Sequence, residues 1–228
     1  MSFRKHWETR PRTDYYEFFN DFTKPTDYDT NDWTLTTTEA GAGSATEAIG
    51  NLAGGVLVVT NDAADNDLDF FQSTKEVFKF VSGKALEFEA RFKVLEVLQC
   101  DFVIGLQITD TTMLDVTDGI FFQKDDGDAL LDFRVEKNDT ATAVAGVHTM
   151  VADTYVKVGF YYDGSTAAEA GVGAAPTIDI YIDDVRVGAA PLTNVPDDEE
   201  LAVSFGIQNG EAVANVLSLD YIRVVAER

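Results

Sequence analysis

The sequence predicts an all-β protein: a jelly-roll β-sandwich of two antiparallel sheets behind a short N-terminal arm. Three observations carry this reading. Several segments alternate strictly between apolar and polar residues, turn signals separate them at short intervals, and amphipathic helical periodicity is scarce. At 228 residues the chain suits one large β-domain. The arm is expected at 1–20 and the sandwich at 21–228.

The arm comes first. Residues 1–12 hold Arg4, Lys5, Arg10 and Arg12 against Glu8, a surplus of three positive charges on a chain whose net charge is −23. A basic segment on an acidic body suggests docking on something acidic; a disordered terminus that happens to be basic is the plainer alternative. The run Asp14-Tyr15-Tyr16-Glu17-Phe18-Phe19-Asn20-Asp21-Phe22 follows. It reads as a first strand packed on the sandwich, or as aromatic anchors for a partner's pocket.

Residues 39–55 are small and Gly-rich and read as a surface loop. The apolar runs 55–60 and 102–108 read as deeply buried strands. From 84 to 95, Leu86, Phe88, Ala90, Phe92 and Val94 share one face and Glu87, Glu89, Arg91 and Lys93 the other. Asp126-Gly127 is expected to turn 119–123 into 130–135 as a hairpin. The same alternation recurs at 155–162, 177–183 and 201–208, and Asp183-Asp184 turns the chain into Val185-Arg186-Val187. Residues 163–176 and 189–200 read as irregular.

Composition excludes several functions. Forty acidic side chains against 17 basic ones repel phosphate backbones, so nucleic acid is not an expected partner. No apolar stretch is long enough to span a bilayer, and no secretory signal stands at the N-terminus, so cytoplasmic synthesis and no membrane partner are expected. The single Cys100 excludes an internal disulfide and reads as a buried structural thiol. His6 and His148 lack the nucleophile and flanking glycines of an elbow motif.

Carboxylate pairs are more suggestive. Glu87 and Glu89 share a strand face, as do Asp179 and Asp183 around Tyr181, although an acidic sandwich carries such pairs on any solvent face. Asp62, Asp65, Asp67 and Asp69 lie in one Asn/Asp-rich segment and are the candidate ligands for calcium, which takes six to eight oxygens. Turn chemistry explains the same residues without a metal. Asp125-Asp126-Gly127-Asp128 is a second, weaker cluster. The baseline expectation is no cofactor, with calcium as the candidate.

The closing segment, Val216-Leu-Ser-Leu-Asp-Tyr-Ile-Arg-Val-Val-Ala226, resembles the last strand of concanavalin A-like lectin/glucanase domains. That resemblance implies a concanavalin A-like jelly roll. The glycosidases on that shell carry Glu-x-Asp-x-Glu or Glu-x-Asp-x-x-Glu, a spacing this chain lacks, so it is expected not to be an enzyme. Gly83–Lys93, Val103–Leu106, Asp118–Phe122, Ile178–Asp183 and Leu219–Val224, in that order, resemble the laminin-G-like domains of tailed-bacteriophage virion proteins, including capsid decoration or cement proteins. The resemblance implies a non-enzymatic structural subunit on the outer capsid surface of a virion. Its partners would be the major capsid protein lattice and itself, as a homo-oligomer, a trimer foremost. Arg4, Lys5, Trp7, Arg10, Arg12, Tyr15, Tyr16, Phe18 and Phe19 are the candidate partner-binding residues. The alternative is a carbohydrate-binding, lectin-like module for adhesion to a host or surface.

Overall fold

A computed structural model describes residues 11–164 and 177–228. Among these, the chain forms fifteen strands and a single 3-10 turn, Pro25–Tyr28. The strands are β1 (Tyr15–Asn20), β2 (Trp33–Thr38), β3 (Thr46–Ile49), β4 (Leu57–Thr60), β5 (Leu68–Ser73), β6 (Leu86–Val94), β7 (Cys100–Gln107) and β8 (Gly119–Lys124). They continue with β9 (Leu130–Lys137), β10 (Thr140–Thr149), β11 (Val156–Tyr162), β12 (Thr177–Ile182), β13 (Val185–Pro191), β14 (Ala202–Asn209) and β15 (Val216–Glu227).

Two antiparallel sheets result. The eight-stranded sheet runs β13-β12-β11-β6-β15-β4-β3, with β1 also paired to β15; the seven-stranded sheet runs β10-β9-β8-β7-β14-β5-β2. The alternation in β6 places Leu86, Phe88, Ala90, Phe92 and Val94 in the core between the sheets. Val203, Phe205 and Ile207 of β14 do the same from the other side. Aromatic rings join the layers. Phe92 stacks on Phe102 at 4.4 Å between centroids and Phe133 meets Phe160 at 5.6 Å; within the seven-stranded sheet, Phe205 contacts both Phe71 (4.8 Å) and Trp33 (5.1 Å). Offset and edge-on contacts of this kind add stability beyond the area they bury.

The turn chemistry follows the sequence. Asp183 and Asp184 both take left-handed conformations (φ 48° and 66°), which a tight hairpin between right-twisted strands requires. Gly127 does so between β8 and β9 (φ 95°). Cys100 is free and fully buried, and desolvation pushes its thiol up to about 11.

The structure also departs from the sequence reading. Tyr15–Asn20 is not part of an arm: β1 pairs residue by residue with β15, Tyr15 opposite Glu227 through Asn20 opposite Ile222. Tyr16 stacks on Phe78 and Phe18 meets Trp33 edge-on, so the aromatic run is drawn into the sandwich by the apolar surface it covers. Residues 39–55 contain β3, a short edge strand hidden in a small-residue segment, and 189–191 extend β13. β2, β5 and β10 carry Thr, Ala or mixed patterns that periodicity does not single out.

Phe205→Ala removes the ring that touches Trp33, Phe71 and Phe22. It is expected to lower stability by about 3–5 kcal/mol, seen as a lower urea midpoint at unchanged m-value.

Candidate functional site

The four candidate calcium ligands do not converge. Asp62 and Asp65 lie on the β4–β5 connection, Asp65 exposed, whereas Asp67 and Asp69 are buried and share one side of the chain. Asp67 is consumed by backbone: its carboxylate accepts from Ala40 N (3.1 Å) and Asp62 N (2.8 Å). Asp69 is different. It is fully buried, opposite Ile207 on β14 and Thr37 on β2, and neither of its oxygens accepts a hydrogen bond. Desolvation pushes its carboxyl up to about 7, helped by the negative charges of Glu47, Glu39 and Asp67. In the second acidic cluster, Asp128 accepts from Leu130 N (2.7 Å), and Asp126 N donates to Asp101 (2.8 Å), as turn residues do. Among the described residues no three His, Cys, Asp or Glu side chains are grouped so that they could hold a metal ion.

Of the candidate partner-binding residues, Arg4, Lys5, Trp7 and Arg10 lie outside the described residues, as does His6. Arg12 is exposed and stands 3.7 Å from Glu17. Tyr15, Tyr16 and Phe18 are half-buried in β1, and Phe19 alone is open, beside Tyr221.

The outer face of the eight-stranded sheet gathers polar and aromatic side chains in cross-strand rows. One row runs Tyr181, Gly159, Glu89, Arg223, Phe19; its neighbour runs Asp179, Tyr161, Glu87, Val225, Glu17. Glu87 and Glu89 are almost fully buried there, not solvated as alternation suggests. Arg223 reaches Glu87 at 2.9 Å, and Tyr221 donates to Glu89. Arg186 Nε donates to Asp179 at 2.8 Å, while Asp183 sits in the hairpin turn and accepts from Lys157 N at 3.0 Å. That second acid pair is therefore split between a strand and a turn.

A bulge between Leu219 and Tyr221 gives β15 one extra residue, Asp220. Arg91 of β6 pairs with Asp220, and its guanidinium lies 4.1 Å from the centre of the Tyr155 ring; Lys93 stands 5.4 Å from the same ring and pairs with Asp153. Desolvation raises the Tyr155 hydroxyl above its usual value. Beside this patch opens a shallow cleft of about 480 Å³, lined by Thr23, Pro25, Asn51, Leu52 and Gly54 among others. The two adjoin at Gly54, where an added Cβ would stand 3.9 Å from Asp220 Oδ1. Residue order gives no warning of this site, because the bulge that exposes Asp220 is a property of the pairing.

The opposite face is filled. Met113, Val116 and Leu114 of the β7–β8 connection pack on Phe70, Val103 and Phe121 of the seven-stranded sheet. Phe121 lies between Gly119 and Gln123 on the outward side of β8.

No protein-family model matches the sequence, and no curated protein does. Solved structures match over nearly the whole chain. An endo-1,3-β-glucanase from Streptomyces sioyaensis aligns with a TM-score of 0.63 at 13% identity, covering 95% of this chain and 98% of its own. A protein of unknown function from Shewanella oneidensis MR-1 gives 0.61 at 17%, covering 94% and 87%. Peanut lectin gives 0.56 at 12%, covering 93% and 97%. The fold is the concanavalin A-like jelly roll of lectins and glucanases. These neighbours overturn the expectation that the chain is not an enzyme: the same sandwich also serves a Bacteroides ovatus endo-glucanase and a glucuronan lyase from Trichoderma reesei. The fold is enzyme-capable, and a missing Glu-x-Asp spacing removes one arrangement of carboxylates, not catalysis as such.

Asp69 makes stability depend on pH. Its folded pKa, about 7, lies above the usual value of about 3.9, so the folded state holds a proton that the unfolded chain releases. The stabilisation is complete below about pH 4 and is lost as pH rises through about 7. Asp69→Asn is therefore expected to raise the melting temperature above wild type at pH 8 in metal-free buffer. The difference between the two proteins shrinks toward pH 4, as followed by calorimetric melts.

Proposed function

We propose that this protein is a lectin-like carbohydrate-binding module whose ligand is a β-linked polysaccharide. The carrying observation is the Tyr155–Arg91–Asp220 patch with its adjoining cleft. Sugar recognition needs an apolar ring to lie under the pyranose and fixed polar groups to bond its hydroxyls. Tyr155 supplies the ring; Arg91 and Asp220 supply a donor and an acceptor that hold each other in place. Asn51 and Thr23 add polar groups along the cleft. The fold supports the reading, since the neighbours named above include a lectin and glucanases. The endo-1,3-β-glucanase and a similar Bacteroides ovatus mixed-linkage glucan hydrolase make β-1,3- and mixed-linkage glucans the first ligands to try.

A decoration subunit on a capsid lattice draws no support from these neighbours. Most of the aromatic residues that would have anchored it are packed into the sandwich through β1.

Affinity electrophoresis of the full chain through gels containing laminarin, mixed-linkage glucan or glucuronan tests the reading. Retardation by one of them is expected. Tyr155→Ala and Asp220→Ala are each expected to weaken it at least tenfold without altering the melting transition. A chain that migrates freely through every polysaccharide would discard the proposal. Reducing-end release in the same samples would report a hydrolase on the same surface.

A further inference from the structure

One end of the sandwich is closed by four connections bonded to one another. The β6–β7 connection lies at its centre: Leu98 O accepts from Gly127 N of the β8–β9 turn (2.8 Å), and Gln99 O accepts from Gly210 N after β14 (3.0 Å). Val94 O accepts from Asp153 N of the β10–β11 connection (2.8 Å), and Met150 N just before it donates to Ala129 O (2.8 Å). Among the described residues ten large apolar side chains are exposed, and five of them, Leu95, Leu98, Leu130, Val151 and Val213, stand on these connections or next to them. Scattered exposed apolar residues are ordinary, whereas half of them gathered at one end make a patch. The exposed acids Asp125, Asp126, Asp128 and Glu211 rim it. Lys93 at this end already pairs with Asp153, and Lys124 is buried on the carbonyls of Cys100 and Asp125, so the surface is apolar and negative.

The complementary chemistry is carried by the same chain. Residues 3–10 hold two large apolar side chains, Phe3 and Trp7, with Arg4, Lys5 and Arg10 against Glu8. They join the fold at the opposite end: Asp14 N donates to Pro11 O (3.0 Å), and Arg228 N, just past β15, donates to Asp14 O (2.9 Å). β15 begins at the apolar end, where Val216 O accepts from Leu95 N (2.9 Å), and its 12 residues carry the chain about 36 Å away. A fully extended chain advances about 3.3–3.6 Å per residue, so Trp7 stays within about 14 Å of Pro11 and Phe3 within about 29 Å. The two anchors cannot both sit on the apolar end of their own sandwich, and a second copy carries no such limit. We propose that residues 3–10 of one copy dock on the Leu98 and Val213 end of a second copy. Phe3 and Trp7 cover the exposed leucines and valine, while Arg4, Lys5 and Arg10 meet the acidic rim. This contact does not depend on the carbohydrate reading.

Sedimentation velocity of the full chain over a concentration series tests the proposal. Self-association is expected in low salt, with a dissociation constant about tenfold higher in roughly 0.5 M NaCl, where the charge contacts are screened. Phe3→Ser/Trp7→Ser and Leu98→Ser/Val213→Ser are each expected to stay monomeric with an unchanged melting transition. Mixed together, the two variants are expected to form one-to-one pairs and nothing larger, since one supplies the anchors and the other the intact end. A wild type that stays monomeric at every concentration in low salt overturns the proposal, as does a mixture that stays monomeric. Association that persists undiminished in Phe3→Ser/Trp7→Ser also overturns it and marks another face as the interface. Should Leu98→Ser/Val213→Ser fail to fold, the Phe3→Ser/Trp7→Ser result decides alone.

Discussion

The pairing of β15 with β6 is the constraint on which the rest of this structure depends. β15 is twelve residues long and holds β6 along one side and β4, then β1, along the other. Its inward residues, Leu217, Leu219, Ile222, Val224 and Ala226, line the core opposite the seven-stranded sheet. A strict alternation would have put position 221 on the inward side after Leu219. The bulge inserts Asp220, returns Ile222 to the core, and leaves Asp220 and Tyr221 to meet Arg91 and Glu89. One irregularity in one strand thus keeps the core continuous and builds the polar patch.

The fold treats its acids in two ways. Most sit at the surface, several opposite lysines: Lys79 with Glu200, Lys137 with Asp197 and Asp198, Lys157 with Asp184. Such exposed pairs contribute little each and weaken with salt. Glu87, Glu89 and Asp69 are buried instead. The first two have a guanidinium or phenol brought to them across the sheet, and burying a charge in that way is tolerable. Among the described residues Asp69 has no cation beside it, and its raised proton affinity comes first from burial and then from the neighbouring acids Glu47, Glu39 and Asp67.

Much of the fold was legible from residue order, because alternation and turn chemistry are local. Leu86 to Val94 fixed a strand and its buried face; Asp183-Asp184 and Asp126-Gly127 fixed hairpins by their tolerance of positive φ. β3 and β10 were illegible, since short or bulged edge strands of Ala, Thr and Gly gain their order from a neighbour and not from their own pattern. The segment 15–20 was ambiguous because aromatic residues suit an interface and a core equally. Only the ladder with β15 separates the two.

The sequence by itself determined the all-β sandwich, the burial of Cys100, and the strong net negative charge of the chain. Periodicity and charge count are sufficient for those, since neither depends on which strands meet. Tertiary structure decided everything that rests on proximity between distant residues. It joined Arg91 to Asp220 and Tyr155, pressed Glu87 against Arg223, and separated Asp67 from Asp69, two residues apart, into a satisfied carboxylate and an unsatisfied one. The physical reason is that a carboxylate's chemistry is set by the donors and charges around it, and those come from other strands.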